Sequence, residues 1–145
     1  MAVSRQLRCS PEDVFAVLAD GWVYPVWVVG ASRMRAVDHD WPSVGSRLHH
    51  SAGAWPWLID DTSEVLAYDP PRAMVVQARG WPAGEARVEI TIERSSTGCL
   101  VSIAEDASSG PALLVPKPVR HAMIAVRNRE TLRRLAYLAE GRARD

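Results

Sequence analysis

From Ser32 to Asp106 the chain is a run of short segments bounded by glycine or proline, and one long stretch of helical periodicity follows it. The segments Arg33 to Asp38, Ser46 to Ala54, Trp57 to Ala67, Ala73 to Arg79, Glu85 to Glu93 and Cys99 to Asp106 read as six consecutive strands. Alternation is cleanest in the fifth, where Val88, Ile90 and Ile92 share one face and Arg87, Glu89, Thr91 and Glu93 the other. Pro70-Pro71, Trp81-Pro82-Ala83-Gly84 and Ser95-Ser96-Thr97-Gly98 supply the turn residues of short connections, so the strands should form an antiparallel meander. From about Val119 to about Glu140, steps of about 100° per residue bring Ile124, Leu132, Leu135, Leu138 and Ala139 onto one stripe. Arg120, Arg127 and Arg134 flank it on one side, Arg129 and Arg133 on the other. A sheet with one dry face needs an apolar partner, and this stripe is the only large one left. A sheet bent around one helix is therefore expected rather than a sandwich.

The N-terminal third completes the order of elements. Val3 to Cys9 reads as a first strand, and Ser10-Pro11-Glu12-Asp13 as a helix start with Ser10 as N-cap, Pro11 at the first helical position and acids facing the dipole. Val14, Phe15, Val17 and Leu18 give that helix its buried side, Asp20-Gly21 ends it, and Trp22 to Val29 forms a second, broken helical piece around Pro25. The predicted fold is α+β, ordered β-α-α-β6-α, with a curved seven-stranded antiparallel sheet around the C-terminal helix. A length of 145 residues suits one domain, 1–145, with a core of its own.

Composition narrows the function classes. Lys plus Arg and Asp plus Glu balance at 17 each, so no net field draws the chain to nucleic acid. The longest apolar stretch, Trp22 to Gly30, contains Pro25 and is about half a bilayer span, and Met1 to Cys9 lacks the apolar centre of a signal peptide. A cytoplasmic protein without a membrane span is expected, monomeric or homodimeric. Cys9 and Cys99 are too few for a disulfide framework and are expected as free thiols.

The chain resembles the START-like (SRPBCC) polyketide cyclase/dehydrase and lipid-transport superfamily. The resemblance is carried by Ser10-Pro11-Glu12-Asp13-Val14-Phe15, Trp27, Trp41-Pro42-Ser43-Val44-Gly45-Ser46, Asp69-Pro70-Pro71-Arg72, Gly80-Trp81-Pro82-Ala83-Gly84 and Arg127-Asn128-Arg129-Glu130-Thr131-Leu132-Arg133-Arg134-Leu135. It implies a helix-grip fold, also termed Bet v 1-like, in which the first strand pairs with the last. Such pairing would bring Cys9 near Cys99. It also implies a cavity between the inner sheet face and the first half of the long helix, closed at one end by Ala107 to Pro118. No catalytic motif runs through that superfamily, which is similar in architecture but spans hormone receptors, lipid carriers, quinone-binding proteins and aromatic polyketide cyclases.

Given such a cavity, alternation aims residues at it. Leu48, His50 and Ala52 share a face, as do Met74, Val76 and Ala78, and Val101, Ile103 and Glu105; Ile90 belongs to the dry face of its strand. On the helix, Ile124 sits in the stripe, with His121, Asn128 and Thr131 on or beside it. Trp27, Trp55 and Trp57 either line the pocket or plug the ends of the sheet. The ligand-binding candidates are thus Trp27, His50, Trp55, Trp57, Met74, Val76, Ile90, Ile103, Glu105, His121, Ile124 and Asn128. An inward Glu105 should find a donor such as His121 or carry a raised pKa. Glu105, His121 and His50 are accordingly the candidates for general acid and base. The facing of residues 57–67 is not readable, because neither phase is clean.

Metal and covalent chemistry lack a motif. His49 and His50 are consecutive in a strand and point to opposite faces, and no serine sits in a Gly-x-Ser-x-Gly elbow. No metal or cofactor is expected. Three readings stay open: binding of a small hydrophobic molecule, polyketide-, isoprenoid- or lipid-like; a cyclase, aromatase or dehydratase working by acid and base in the same cavity; and a non-catalytic interaction module.

Overall fold

The computed structural model describes residues 2–52, 59–80 and 84–144. Strand β1 spans Ala2–Leu7, helix α1 Pro11–Leu18 and helix α2 Tyr24–Trp27. Strands β2 (Ala31–Val37), β3 (Arg47–Ala52), β4 (Ile59–Asp69), β5 (Ala73–Gly80), β6 (Gly84–Ser95) and β7 (Gly98–Ser109) follow, and helix α3 runs Lys117–Arg144. The seven strands form one antiparallel sheet in the order β1-β7-β6-β5-β4-β3-β2. This is the helix-grip arrangement, a curved open sheet in which the first strand pairs with the last, filled by a long C-terminal helix.

Local chemistry sets the element ends. Ser10 caps α1 through a reciprocal pair: the Asp13 amide donates to Ser10 Oγ at 3.1 Å, and the Ser10 amide donates to Asp13 Oδ2 at 3.1 Å. Pro25 lies in the first turn of α2, where its missing N–H costs nothing. Helix α3 is longer than its periodicity predicts at both ends. Pro118 is tolerated in the first turn, and Gly141 sits in an exposed last turn, where a glycine costs only about 1 kcal/mol and does not stop the helix. Strand β7 likewise runs to Ser109, three residues past its expected end, and a short 3-10 turn at Pro111–Leu114 leads into α3.

The dry sheet face and the helix stripe meet as the alternation requires. Met74, Val76, Ile90, Ile92, Val101 and Ile103 are buried from the sheet, and Leu132, Leu135, Ala136 and Ala139 from α3. Phe15, Val17 and Leu18 of α1 close the same core. Truncating a core leucine such as Leu135, which is fully buried, costs about 2–5 kcal/mol in such a site. Ile124, expected in the stripe, is only half-buried, while Ala125 and Asn128 are buried beside it. The amino-terminal half of α3 thus rides off the sheet, leaving a gap.

Candidate functional site

That gap is a cavity of about 840 Å³. Its walls come from α2 and the residues after it (Tyr24, Val28, Val29), from the sheet (His50, Ala78, Ala86, Glu105, Ala107), from the Pro111–Leu114 turn, and from Met123, Ile124 and Arg127 on α3. The Val29 amide donates to Thr131 Oγ1 at 3.3 Å, which ties the segment after α2 to the helix. Most of the wall is apolar, and its charged groups are paired.

Two carboxylates of β7 organise the polar side. Glu105, 8% exposed, accepts from Arg127 Nη2 in an ion pair and from Asn128 Nδ2 at 3.3 Å. Asp106 points the other way, as alternation demands, and takes Arg120 Nε at 2.7 Å, Arg120 Nη2 at 3.2 Å and His121 Nε2 at 3.2 Å. The Arg120 bonds above all, with His121 adding to them, hold the Asp106 carboxyl well below the usual range. The expected Glu105–His121 pair does not form. His121 lies on the Asp106 side of the strand, and the donors that reach Glu105 are Arg127 and Asn128.

A second polar group is built across three elements. His50 on β3 is 5% exposed, and its Nε2 lies 2.9 Å from Ser63 Oγ on β4. The Tyr24 hydroxyl approaches the same Oγ at 3.3 Å. The Tyr24 and His50 rings stack with centroids 5.4 Å apart and planes 27° from parallel. Burial pushes the His50 pKa down, outweighing the pull of Asp61 upward, and burial pushes the Tyr24 hydroxyl up. The imidazole is therefore neutral near pH 7.

The positions of the sequence-derived candidates divide clearly. His50, Glu105 and Ile124 line the cavity. Asn128 lies behind it, holding Glu105. Met74, Val76, Ile90 and Ile103 are packed into the core together with residues of α1 and α3 and do not line the cavity. Trp27, 6% exposed, packs edge-on against Tyr24 with centroids 5.5 Å apart, also within the core. Trp55 and Trp57 fall outside the described residues. Tyr24, Ser63 and Arg127 emerge only from the structure. Arg127 reads in sequence as a solvated flank of the helix, and its one available signal was the need of an inward Glu105 for a cation.

His49 pairs with Asp38 at 2.9 Å on the outer face, opposite to His50. Among the described residues no group of three or more His, Cys, Asp or Glu is placed to hold a metal ion. None of their helices is long and apolar enough to cross a membrane.

The family model for polyketide cyclase / dehydrase and lipid transport matches residues 1–140. Among solved structures, protein CV1439 from Chromobacterium violaceum is similar at 22% identity and a TM-score of 0.73, covering 97% of this chain and 96% of that one. The di-domain ARO/CYC StfQ from the steffimycin biosynthetic pathway aligns at 11% identity and a TM-score of 0.76, with 100% of this chain on 51% of its length. Ara h 8.0201 aligns at 10% identity and a TM-score of 0.72, covering 96% and 95%. At these identities the structural likeness establishes the fold alone. No curated protein matches the chain.

Proposed function

The chain belongs to the polyketide cyclase/dehydrase and lipid transport family, and from that premise we propose that it binds a small apolar molecule, polyketide-, isoprenoid- or lipid-like, in the cavity under α3. The observation that carries the reading is the cavity itself. It has about 840 Å³ of space, within the range of small-molecule sites, with a mostly apolar wall and few polar groups.

Its charges favour binding over acid–base chemistry. Glu105 is committed to Arg127 and Asn128, and His121 to Asp106, so neither stands ready beside the other to pass a proton. A carrier needs no more than the apolar walls and an anchor. A space of this size also argues against a vestigial cavity in a module acting only through its surface.

Native mass spectrometry on the purified chain, with extraction of any co-purifying compound and uptake of the neutral dye N-phenyl-1-naphthylamine, tests the reading. A bound apolar compound, displaced by the dye and excluded by Ile124→Trp, is the expected result. A folded protein that is empty and takes up no dye overturns it.

A further inference from the structure

Ten large apolar side chains are exposed among the described residues, and five of them, Leu113, Leu114, Val119, Met123 and Val126, fall together just before and along the start of α3. Single exposed apolar residues are ordinary, whereas a concentration of them marks an interaction surface. Leu114 is 86% exposed, Val126 67% and Met123 65%. Val119, Ala122, Met123 and Val126 recur at helical spacing, which puts them on the face of α3 opposite the buried Asn128 and Leu132. Met123 also lines the cavity, as do Pro111, Ala112 and Val115 from the same stretch. The cavity wall therefore runs out onto this surface.

Charge is uneven here too. From Ala107 to Arg129 the chain holds Lys117, Arg120, Arg127 and Arg129 and no Asp or Glu, although its charges balance overall. Arg120 and Arg127 are paired with Asp106 and Glu105. Glu85, the other acid of the cavity lining, is matched by Arg79 at 3.1 Å. Lys117 and Arg129 are exposed and form no ion pair among the described residues. Where the apolar stripe ends, Glu130 is held by Arg133 and Arg134. An apolar surface with a positive excess results.

A second copy docked here about a two-fold axis would set this acid-free segment against itself, like charge facing like. An anionic bilayer suits both features, with acyl chains for Leu114 and Val126 and headgroup phosphates for Lys117 at the start of α3 and Arg129 beside the stripe. We infer that the Pro111–Leu114 turn and the first turns of α3 rest on an anionic lipid surface, with the Met123 edge of the cavity toward the acyl chains. The docking stands on surface residues alone; passage of a ligand between bilayer and cavity rests on the binding reading above.

Co-sedimentation of the full chain with phosphatidylcholine vesicles, with and without phosphatidylserine, tests the inference. Binding is expected to be about ten- to thirtyfold tighter with phosphatidylserine, the contribution of two unpaired cations near an anionic surface, and to fall with added salt. Leu114→Ser/Val126→Ser should weaken it about tenfold or more, and Lys117→Gln/Arg129→Gln should remove the preference for phosphatidylserine. None of these four residues lines the cavity, so unchanged uptake of N-phenyl-1-naphthylamine reports that the variants are folded. Wild-type protein that takes up the dye yet stays in the supernatant, or that binds both vesicle types equally, overturns the inference. So does dimerisation of the wild type in sedimentation equilibrium that Leu114→Ser/Val126→Ser abolishes, which assigns the face to a second copy. Protein that sediments with phosphatidylserine vesicles but takes up no dye supports the docking and removes the binding reading.

Discussion

Asn128 Nδ2 donates to Glu105 Oε1 at 3.3 Å from within the buried face of α3, so the helix reaches the same carboxylate with two consecutive residues, Arg127 and Asn128. One carboxylate thereby fixes the rotation of α3 over the cavity.

The pair is asymmetric in exposure, since the Glu105 side chain is 7% exposed and that of Arg127 is 41%. Arg127→Met leaves a buried carboxylate without its cation and should cost about 2–3 kcal/mol in urea denaturation. Glu105→Leu leaves an arginine that can turn to water and should cost less. The double variant Glu105→Leu/Arg127→Met should lie within about 1 kcal/mol of wild type. Equal losses from the two single variants would contradict this account.

Asp106 predicts the acid limb of stability. Its carboxyl has an ordinary value of 3.8 when unfolded and a lower one when folded, so the unfolded chain binds more protons between the two. Its contribution is fully present above about pH 4 and is lost as pH falls through the folded value. Asp106→Asn should flatten the decline in urea midpoint between about pH 4 and pH 2, measured by circular dichroism, and leave the slope at neutral pH unchanged.

The cysteines are free and both buried, with Leu7 in register with Cys99. Burial and the neighbouring Cys99 push the Cys9 thiol up to about 12, and burial raises Cys99 as well. A thiol held protonated is a poor nucleophile. Native protein at pH 8 should therefore react slowly with a disulfide reagent, and both thiols should titrate at once in denaturant. Rapid, independent reaction in the native state would rule this out.

Gly98 opens β7 with φ at +152°, and a Cβ there would overlap the Leu7 carbonyl oxygen and come within 2.9 Å of the Cys9 amide nitrogen. Backbone on both sides leaves nothing to give way. Gly98→Ala should destabilise by about 2–4 kcal/mol, seen as a lower urea midpoint at unchanged slope.

How far sequence reaches can be traced residue by residue. The alternation of Val88, Ile90 and Ile92, the Ser10 cap and the stripe around Leu132 and Leu135 are local patterns, and the fold follows from them. His50 and Glu105 were legible as inward because clean apolar neighbours fix their phase. Ser63 was not, although it is fully buried. A register shift between Val65 and Ala67 breaks the two-residue period in β4, and polar residues fill the strand before it. The core placement of Met74 and Ile103 was hidden for another reason: alternation says which face a residue takes, while the cover over that face depends on where the helices pack.

The sheet order leaves β1 and β2 as its two edges. Along β2, Arg33 and Arg35 stand over Asp60 at 3.8 and 3.5 Å, and pairing with β3 shifts register twice in seven residues. An extended strand arriving from another chain would meet two cations and a ladder that breaks step, so this edge is guarded against the open-ended stacking that flat, uncharged edges invite. The same arginines that look like ordinary surface charge thus guard this edge of the sheet.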